Sequence, residues 1–371
     1  MGNKRIAING QFTARKMTGQ ERFAYEIVKE LDLIVDAKDW VLVVPKDAVN
    51  IPKLYNIPII KYGRVKGSLW EQVYFFYYTF RHNLLSLNLC SVMPVLKPGI
   101  ICIHDLSYKV NPQYFKTVYS FISMLWHRVL FRFAWWFSPF ILTVSEFSKQ
   151  QMIDCYKVDA DKIVVVGNGW EHFTRIKEDE TIKERKPNLF SKPYFFSLGS
   201  LAPNKNIDWV LKIAQNHPQY IFNIAGRNGL KEYGLNYNEE DFPNVNFLGY
   251  ITDGEIKYLM ANCKAFIFPS FFEGFGIPPL EALSSAASDV YKRQPLEALS
   301  VGAKIIVSNT SCLPEIFGDS AYYIDPHNYN INLDSLLNTS VNDRQLVLNR
   351  FHFRIFAKKI YDRILKLNKQ S

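Results

Sequence analysis

Two carboxylates, Glu273 and Glu281, stand with seven residues between them in the run Glu-Gly-Phe-Gly-Ile-Pro-Pro-Leu-Glu. Two glycines and two prolines lie inside that run, the composition of a loop that turns into a helix. Proline suits the first turn of a helix, because its missing N–H would have no partner there anyway. Upstream, residues 265–269 form a short apolar run of the buried-strand type. Strand, glycine-bearing loop and helix N-terminus together make an anion site. The first backbone N–H groups and the helix dipole point at whatever sits in front of them. Two acids there would repel a bare phosphate, so they need another partner. Carboxylates accept strong hydrogen bonds from hydroxyls, and sugars carry hydroxyls. Amides for a diphosphate with acids for hydroxyls describe a nucleotide-sugar.

Other residues with chemical potential follow predicted strands. Lys205 comes shortly after the run 194–198 and Gly199, where a cation meets phosphate or simply faces solvent. His104 ends the apolar run 100–103, at the carboxyl end of a parallel strand, where ligands bind in open sheets. A core-anchoring histidine is the competing reading there. Gly19 and Arg22 lie after the first strand-type run, 5–9, at the start of a helix over 21–31.

Residues 273–281 resemble the E-x7-E signature of retaining family 4 glycosyltransferases, which have the GT-B fold. Gly-Phe-Gly inside the motif, Pro-Pro-Leu before Glu281 and Val-Gly-Ala-Lys-Ile at 301–305 strengthen the resemblance. It implies that Glu273 lies against the donor sugar and that Glu281 holds the ribose of the nucleoside diphosphate. Phe275, Gly276 and Ile277 would offer backbone to the donor. Thr-Gly19-Gln-Glu-Arg22-Phe23 resembles the family's Gly-x-x-Arg-Tyr element, whose glycine approaches the diphosphate; here Phe23 replaces Tyr. His104-Asp-Leu-Ser resembles the stretch that places a histidine beside the donor sugar. Lys205 matches the lysine that meets the phosphates, but Ser200 stands where an arginine is usual. Tyr250 and Ile251 fall at the turn near which the base stacks. The likeness runs from Gly19 to the last helix.

One irregularity sits in the motif. Pro-Leu-Glu-Ala-Leu-Ser at 279–284 recurs at 295–300, with a spacer lacking apolar periodicity. Removing one copy with the spacer restores an uninterrupted run, so the repeat reads as an insertion, either native or a sequencing or assembly artefact. Glu281 keeps the loop-to-helix spacing and Glu297 keeps the helix-to-strand spacing, so both remain candidates for the ribose position.

The elements that must hold these residues alternate between strand-type and helix-type runs, which predicts α/β architecture with parallel sheets. With the resemblance, the expected fold is GT-B. It has two Rossmann-like, doubly wound parallel-sheet domains with a cleft between them, and a C-terminal helix crossing back to the first. The expected domains are 1–175, on the acceptor side, and 190–350, which binds the nucleotide-sugar, with the helix in 351–371. The stretch 175–193 is charged, carries proline and shows no apolar face, so it reads as a linker. The 371 residues suffice for two cores. The net charge of +9 favours acidic partners, among them nucleoside diphosphates and anionic lipid. No nucleic-acid-binding motif is present, so nucleic acid is not expected. Five scattered cysteines read as reduced thiols of a cytosolic protein rather than a disulfide framework. The N-terminus opens with a strand-type run and predicts no signal peptide. Residues 114–140 are dense in aromatics and interrupted by Lys116, His127, Arg128 and Arg132. Cations at a hydrocarbon centre are costly. The stretch therefore fits either a helix lying at an anionic membrane surface or a core helix of the first domain.

The expected activity is transfer of a glycosyl group from a nucleoside-diphosphate sugar to a glycan or lipid-linked acceptor, with retention, in cell-surface polysaccharide assembly. The expected location is cytoplasmic, peripheral at the inner face of the membrane. No cofactor is expected, and no metal, since no Asp-x-Asp stands at a strand end. A non-catalytic sugar-nucleotide-binding subunit and a GT-B phosphorylase or epimerase are the alternatives. A nicotinamide oxidoreductase would need a Gly-x-Gly-x-x-Gly after a strand, which is missing.

Overall fold

Two separate parallel sheets organise the computed structural model, which describes residues 5–199, 202–226, 239–285 and 303–370. The chain divides into two compact units, Met1–Gly169 with His352–Ser371, and Trp170–Phe351.

The first unit holds β1 (Ile6–Asn9), β2 (Trp40–Val44), β3 (Ile59–Lys61), β4 (Leu85–Asn88), β5 (Ile100–Cys102), β6 (Ile141–Thr143) and β7 (Ile163–Val165). Their order is β3-β2-β1-β4-β5-β6-β7, and each pairing is parallel. Strands β1, β5 and β6 are buried at every residue, as apolar runs in a sheet covered on both faces must be. Helix α1 (Gly19–Asp32) follows β1. Helix α2 runs through Gly67–Trp70, a π-type turn at Glu71–Phe75, and Phe76–Arg81. Helix α3 (Val118–Phe137) fills the aromatic stretch, and its Leu130, Phe131, Ala134 and Trp135 join the core over β5 and β6. Helix α4 (Glu146–Tyr156) begins where Ser145, a residue type favoured at N-caps, accepts the Ser148 N–H. The terminal helix Phe353–Gln370 packs on α1. Its Phe356 ring fills the space above Gly167 (φ +81°), where a Cβ would lie 2.5 Å from the ring.

The second unit holds β8 (Tyr194–Leu198), β9 (Ile221–Ala225), β10 (Val245–Gly249), β11 (Phe266–Phe268), β12 (Ile305–Ser308) and β13 (Tyr322–Ile324), in the order β10-β9-β8-β11-β12-β13. These are also parallel. Short helix α5 (Glu171–Thr174), α6 (Ile207–Asn216), α7 (Asp253–Asn262) and α8 (Ile277–Ser285) surround the site described below. Trp209, Ile213, Phe222 and Ile267 are among its buried core residues.

The linker reading of 175–193 is corrected. This stretch is folded onto the second unit, with short helices Thr181–Arg185 and Pro187–Phe190. Ile182 and Leu189 are buried, seven residues apart, and supply the apolar contacts that the charged surface hides in the sequence. Lys257 Nζ donates to the Ile176 carbonyl at 2.8 Å, Asp179 N to Gly254 O at 3.1 Å and Asn223 Nδ2 to Leu189 O at 3.1 Å. The division of the chain falls at Gly169–Trp170 instead. The second copy of the repeat, Glu297 and Ser200 lie outside the described residues.

Candidate functional site

In each sheet the strand order reverses once, and open α/β sheets bind ligands beyond the carboxyl ends of the strands at that reversal. In the second unit the reversal lies between β8 and β11. Lys205 follows β8 and Glu273 follows β11, so the topology brings together two residues 68 positions apart. Lys205 Nζ lies 2.6 Å from Glu273 Oε1. The ammonium also sits 5.0 Å from the centroid of the Phe268 ring, at the last residue of β11.

The two loops are fastened to each other. Phe271 N donates to Asn204 O at 2.8 Å. Asn206, in the left-handed region (φ 53°), starts α6 and donates through Nδ2 to Pro269 O at 3.1 Å and Pro326 O at 2.9 Å. Glu273 is anchored by its backbone. Its N–H donates to Ser311 Oγ at 3.3 Å and its carbonyl accepts from Cys312 Sγ at 3.3 Å. The carboxylate is thus placed by main chain, and its side chain is left to meet Lys205.

After Glu273 the chain turns through Gly276 at φ +94° into α8. A Cβ at Gly276 would also lie 2.7 Å from Leu313 Cδ2, so only glycine fits. Phe275 is buried edge-on against Phe351, with ring centroids 5.2 Å apart. Pro278 and Pro279 have no N–H, so Gly276 and Ile277 carry the amide donors at the helix start. Glu281 lies one turn into α8. Its Oε1 accepts from His172 Nε2 at 2.7 Å, and His172 is buried on α5. Sequence reasoning missed His172. Its one signal is position, just past the Asn168-Gly169 turn that closes the first unit.

Tyr250 follows edge strand β10 and is exposed; Ile251 beside it is buried. The remaining expected residues belong to the first unit. Gly19 is the first residue of α1, and Arg22 is half-buried one turn later. Phe23, on the same helix, meets the buried His104 ring edge-on at 4.9 Å. His104 Nε2 lies 2.8 Å from the Leu89 carbonyl, which can only accept, so Nε2 carries the proton. Burial lowers the His104 pKa against the pull of that carbonyl, so the ring is neutral at pH 7 with Nδ1 as acceptor.

The first unit's own reversal lies between β1 and β4. Asn9 Nδ2, at the end of β1, donates to Asn88 Oδ1 at 3.1 Å and to Glu71 Oε1 at 3.0 Å. Arg15 Nη2 donates to Glu71 Oε2 at 3.3 Å. Burial pushes the Glu71 carboxyl up to about 7, opposed by Arg15 and Asn9. This cluster was also absent from the sequence reading. Among the described residues no group of three His, Cys, Asp or Glu side chains is placed to hold a metal. All five cysteines are free thiols.

Residues 178–287 match the family described as glycosyl transferases group 1. The matched stretch contains Lys205, Glu273 and Glu281, and ends before Glu297. The O-antigen chain mannosyltransferase B of Escherichia coli is 28% identical over 243 residues, covering 62% of this chain and 58% of that protein. This chain therefore spans less than two thirds of that relative's length. The O-antigen chain mannosyltransferase RfbU of Salmonella typhimurium is 26% identical over 313 residues, covering 81% of this chain and 79% of its own. Among solved structures, Anabaena Alr3699/HepE in complex with UDP and glucose superposes with a TM-score of 0.66 at 16% identity, over 98% of this chain and 99% of that one. Sucrose-phosphate synthase from Thermosynechococcus elongatus gives 0.66 at 13% identity over the whole of both chains. These likenesses show the fold, which is GT-B.

Proposed function

We propose that this chain, whose second unit carries the glycosyl transferases group 1 domain, moves a glycosyl group from a nucleoside-diphosphate sugar to an acceptor hydroxyl with retention of configuration. The observation that carries the reading is the 2.6 Å pairing of Lys205 with Glu273 at the sheet reversal. A cation suited to diphosphate and an acid suited to sugar meet at one point, where the sugar–phosphate bond would lie. That C1–O bond breaks as the acceptor oxygen bonds C1, and the acceptor proton passes to the departing phosphate oxygen. Lys205 and the Gly276 and Ile277 amides oppose the charge that develops on the diphosphate. Glu273 opposes the positive charge on the ring and orients its hydroxyls.

Glu281 would receive the ribose hydroxyls, with His172 fixing its carboxylate. The end of the family match at residue 287 supports Glu281 over Glu297. Tyr250 and Ile251, in the same unit, keep their expected donor-side roles within this proposal. The names of the two mannosyltransferase relatives favour a mannosyl donor and a cell-surface glycan or lipid-linked acceptor. Ser200, standing where the family has arginine, favours a second reading, a sugar-nucleotide-binding subunit without turnover. Donor hydrolysis by the purified chain, with UDP-, GDP- and ADP-sugars compared, separates the two: an enzyme releases nucleoside diphosphate and the subunit only binds.

A further inference from the structure

Helix α3 carries large apolar residues on both its inner and its outer side. Its inner residues are core, as one of the two readings of this stretch expects. Its outer side carries Val118, Ile122, Leu125, Val129 and Trp136, spaced four, three, four and seven apart, along one stripe of the helix. Their exposure runs from 45% at Leu125 to 79% at Val118. Large apolar residues on both sides of a helix belong in a core or against lipid, and here the inner side alone is covered.

Helix α2 repeats the pattern. Leu69, Val73, Tyr77 and Phe80 recur at helical spacing and are all exposed. One loop joins both helices. Val95 N donates to Gln72 Oε1 at 3.0 Å, Gln72 Nε2 to Met93 O at 2.8 Å, and Lys97 Nζ to Thr79 O at 2.8 Å, all tying the loop to α2. Ser138 Oγ, directly after α3, donates to Met93 Sδ at 3.8 Å. The loop adds Leu96, 78% exposed.

The charge around these stripes is mostly positive. Residues 72–145 contain six Lys or Arg and a single acid, Asp105. Exposed Arg132 interrupts the α3 stripe, exposed Lys116 precedes it, and exposed Arg81 ends α2. Among the described residues no helix is long and apolar enough to cross a membrane.

We propose that the outer faces of α2 and α3, with Leu96 between them in sequence, dock on an anionic bilayer surface. Apolar side chains enter the headgroup boundary while the cations meet lipid phosphate. A second copy of this chain fits worse, since an isologous contact sets the same cations against one another with one acid from each side.

The test is co-sedimentation of the full chain with phosphatidylcholine vesicles, with and without phosphatidylglycerol, at low and high salt. Binding is expected on the phosphatidylglycerol vesicles at low salt and is expected to weaken as salt rises. Arg132→Glu removes two charge units and should weaken binding about 25-fold, about fivefold for each. Leu125→Asp should abolish it. Both sites are exposed, so urea midpoints should match the unaltered chain. No sedimentation with phosphatidylglycerol vesicles at low salt overturns the proposal. So does equal sedimentation of Arg132→Glu, or a concentration-dependent dimer that Leu125→Asp dissolves. None of these outcomes depends on whether the chain transfers sugar.

Discussion

His172 Nε2 and Glu281 Oε1 lie 2.7 Å apart, joining residues 109 positions distant within the second unit. The histidine is buried and Glu281 only slightly exposed, so one carboxylate oxygen is held while the carboxylate keeps an edge toward solvent. A group that touches ligand only through another residue should show its effect only while that residue is present.

Glu281→Ala should weaken nucleoside-diphosphate affinity about tenfold or more, the scale of a lost charge-assisted hydrogen bond. His172→Ala should weaken it less, and should add nothing in the Glu281→Ala background. Calorimetric titration of the four proteins measures this. Additive losses would mean that His172 acts by supporting the fold. Glu297→Ala should leave affinity unchanged.

Lys205→Ala should lower turnover by roughly ten- to a hundredfold, since a charge-assisted contact to diphosphate contributes about 1.5–3 kcal/mol. Steady-state kinetics of donor hydrolysis measure it. Near-normal turnover would place the phosphate site elsewhere.

Glu71 makes stability depend on pH with a definite sign. Its carboxyl is raised in the folded chain from 4.5 to about 7, chiefly by burial. Between those values the folded state binds the extra proton, so stability falls as pH rises through the window. A shift of that size corresponds to about 3 kcal/mol. Urea unfolding at pH 5 and pH 8 should therefore show the larger drop for the unaltered chain and a flatter profile for Glu71→Gln. Burial lowers the His104 pKa, which acts with the opposite sign, and His104 is common to both proteins. An unchanged profile in Glu71→Gln contradicts the assignment.

Gly276→Ala forces a side chain into a φ of +94° and toward Leu313. The backbone term alone costs about 1–2 kcal/mol. The unfolding midpoint should fall, and nucleotide affinity should fall with it because α8 starts there. A fully stable variant with normal affinity would show that the turn tolerates substitution.

Much of this was legible in the chain. The runs at β1, β2, β8 and β11 are apolar because both sheet faces are covered, and such runs can be read without partners. Glu273 and Glu281 announce themselves through local spacing. Strand β4 was missed because Ser86 and Asn88 look like loop residues. They are buried, and Asn88 Nδ2 donates to Ser86 Oγ and Ile100 O. The pairing of Lys205 with Glu273 depends on β8 lying beside β11, an order that no local pattern encodes. His172 and Glu71 were invisible for the same reason, since their partners come from other elements. The folded character of 175–193 was hidden because two buried residues in nineteen make no period.

The most direct measurement is Glu273→Gln, which keeps shape and removes charge, assayed for donor turnover and for nucleoside-diphosphate affinity on the same preparation. If Lys205 and Glu273 bracket the bond that breaks, turnover falls at least about a hundredfold, the scale of a lost electrostatic contribution in the transition state, while nucleoside-diphosphate affinity stays within about twofold. Equal losses in both, or a variant that turns over normally, would contradict that placement.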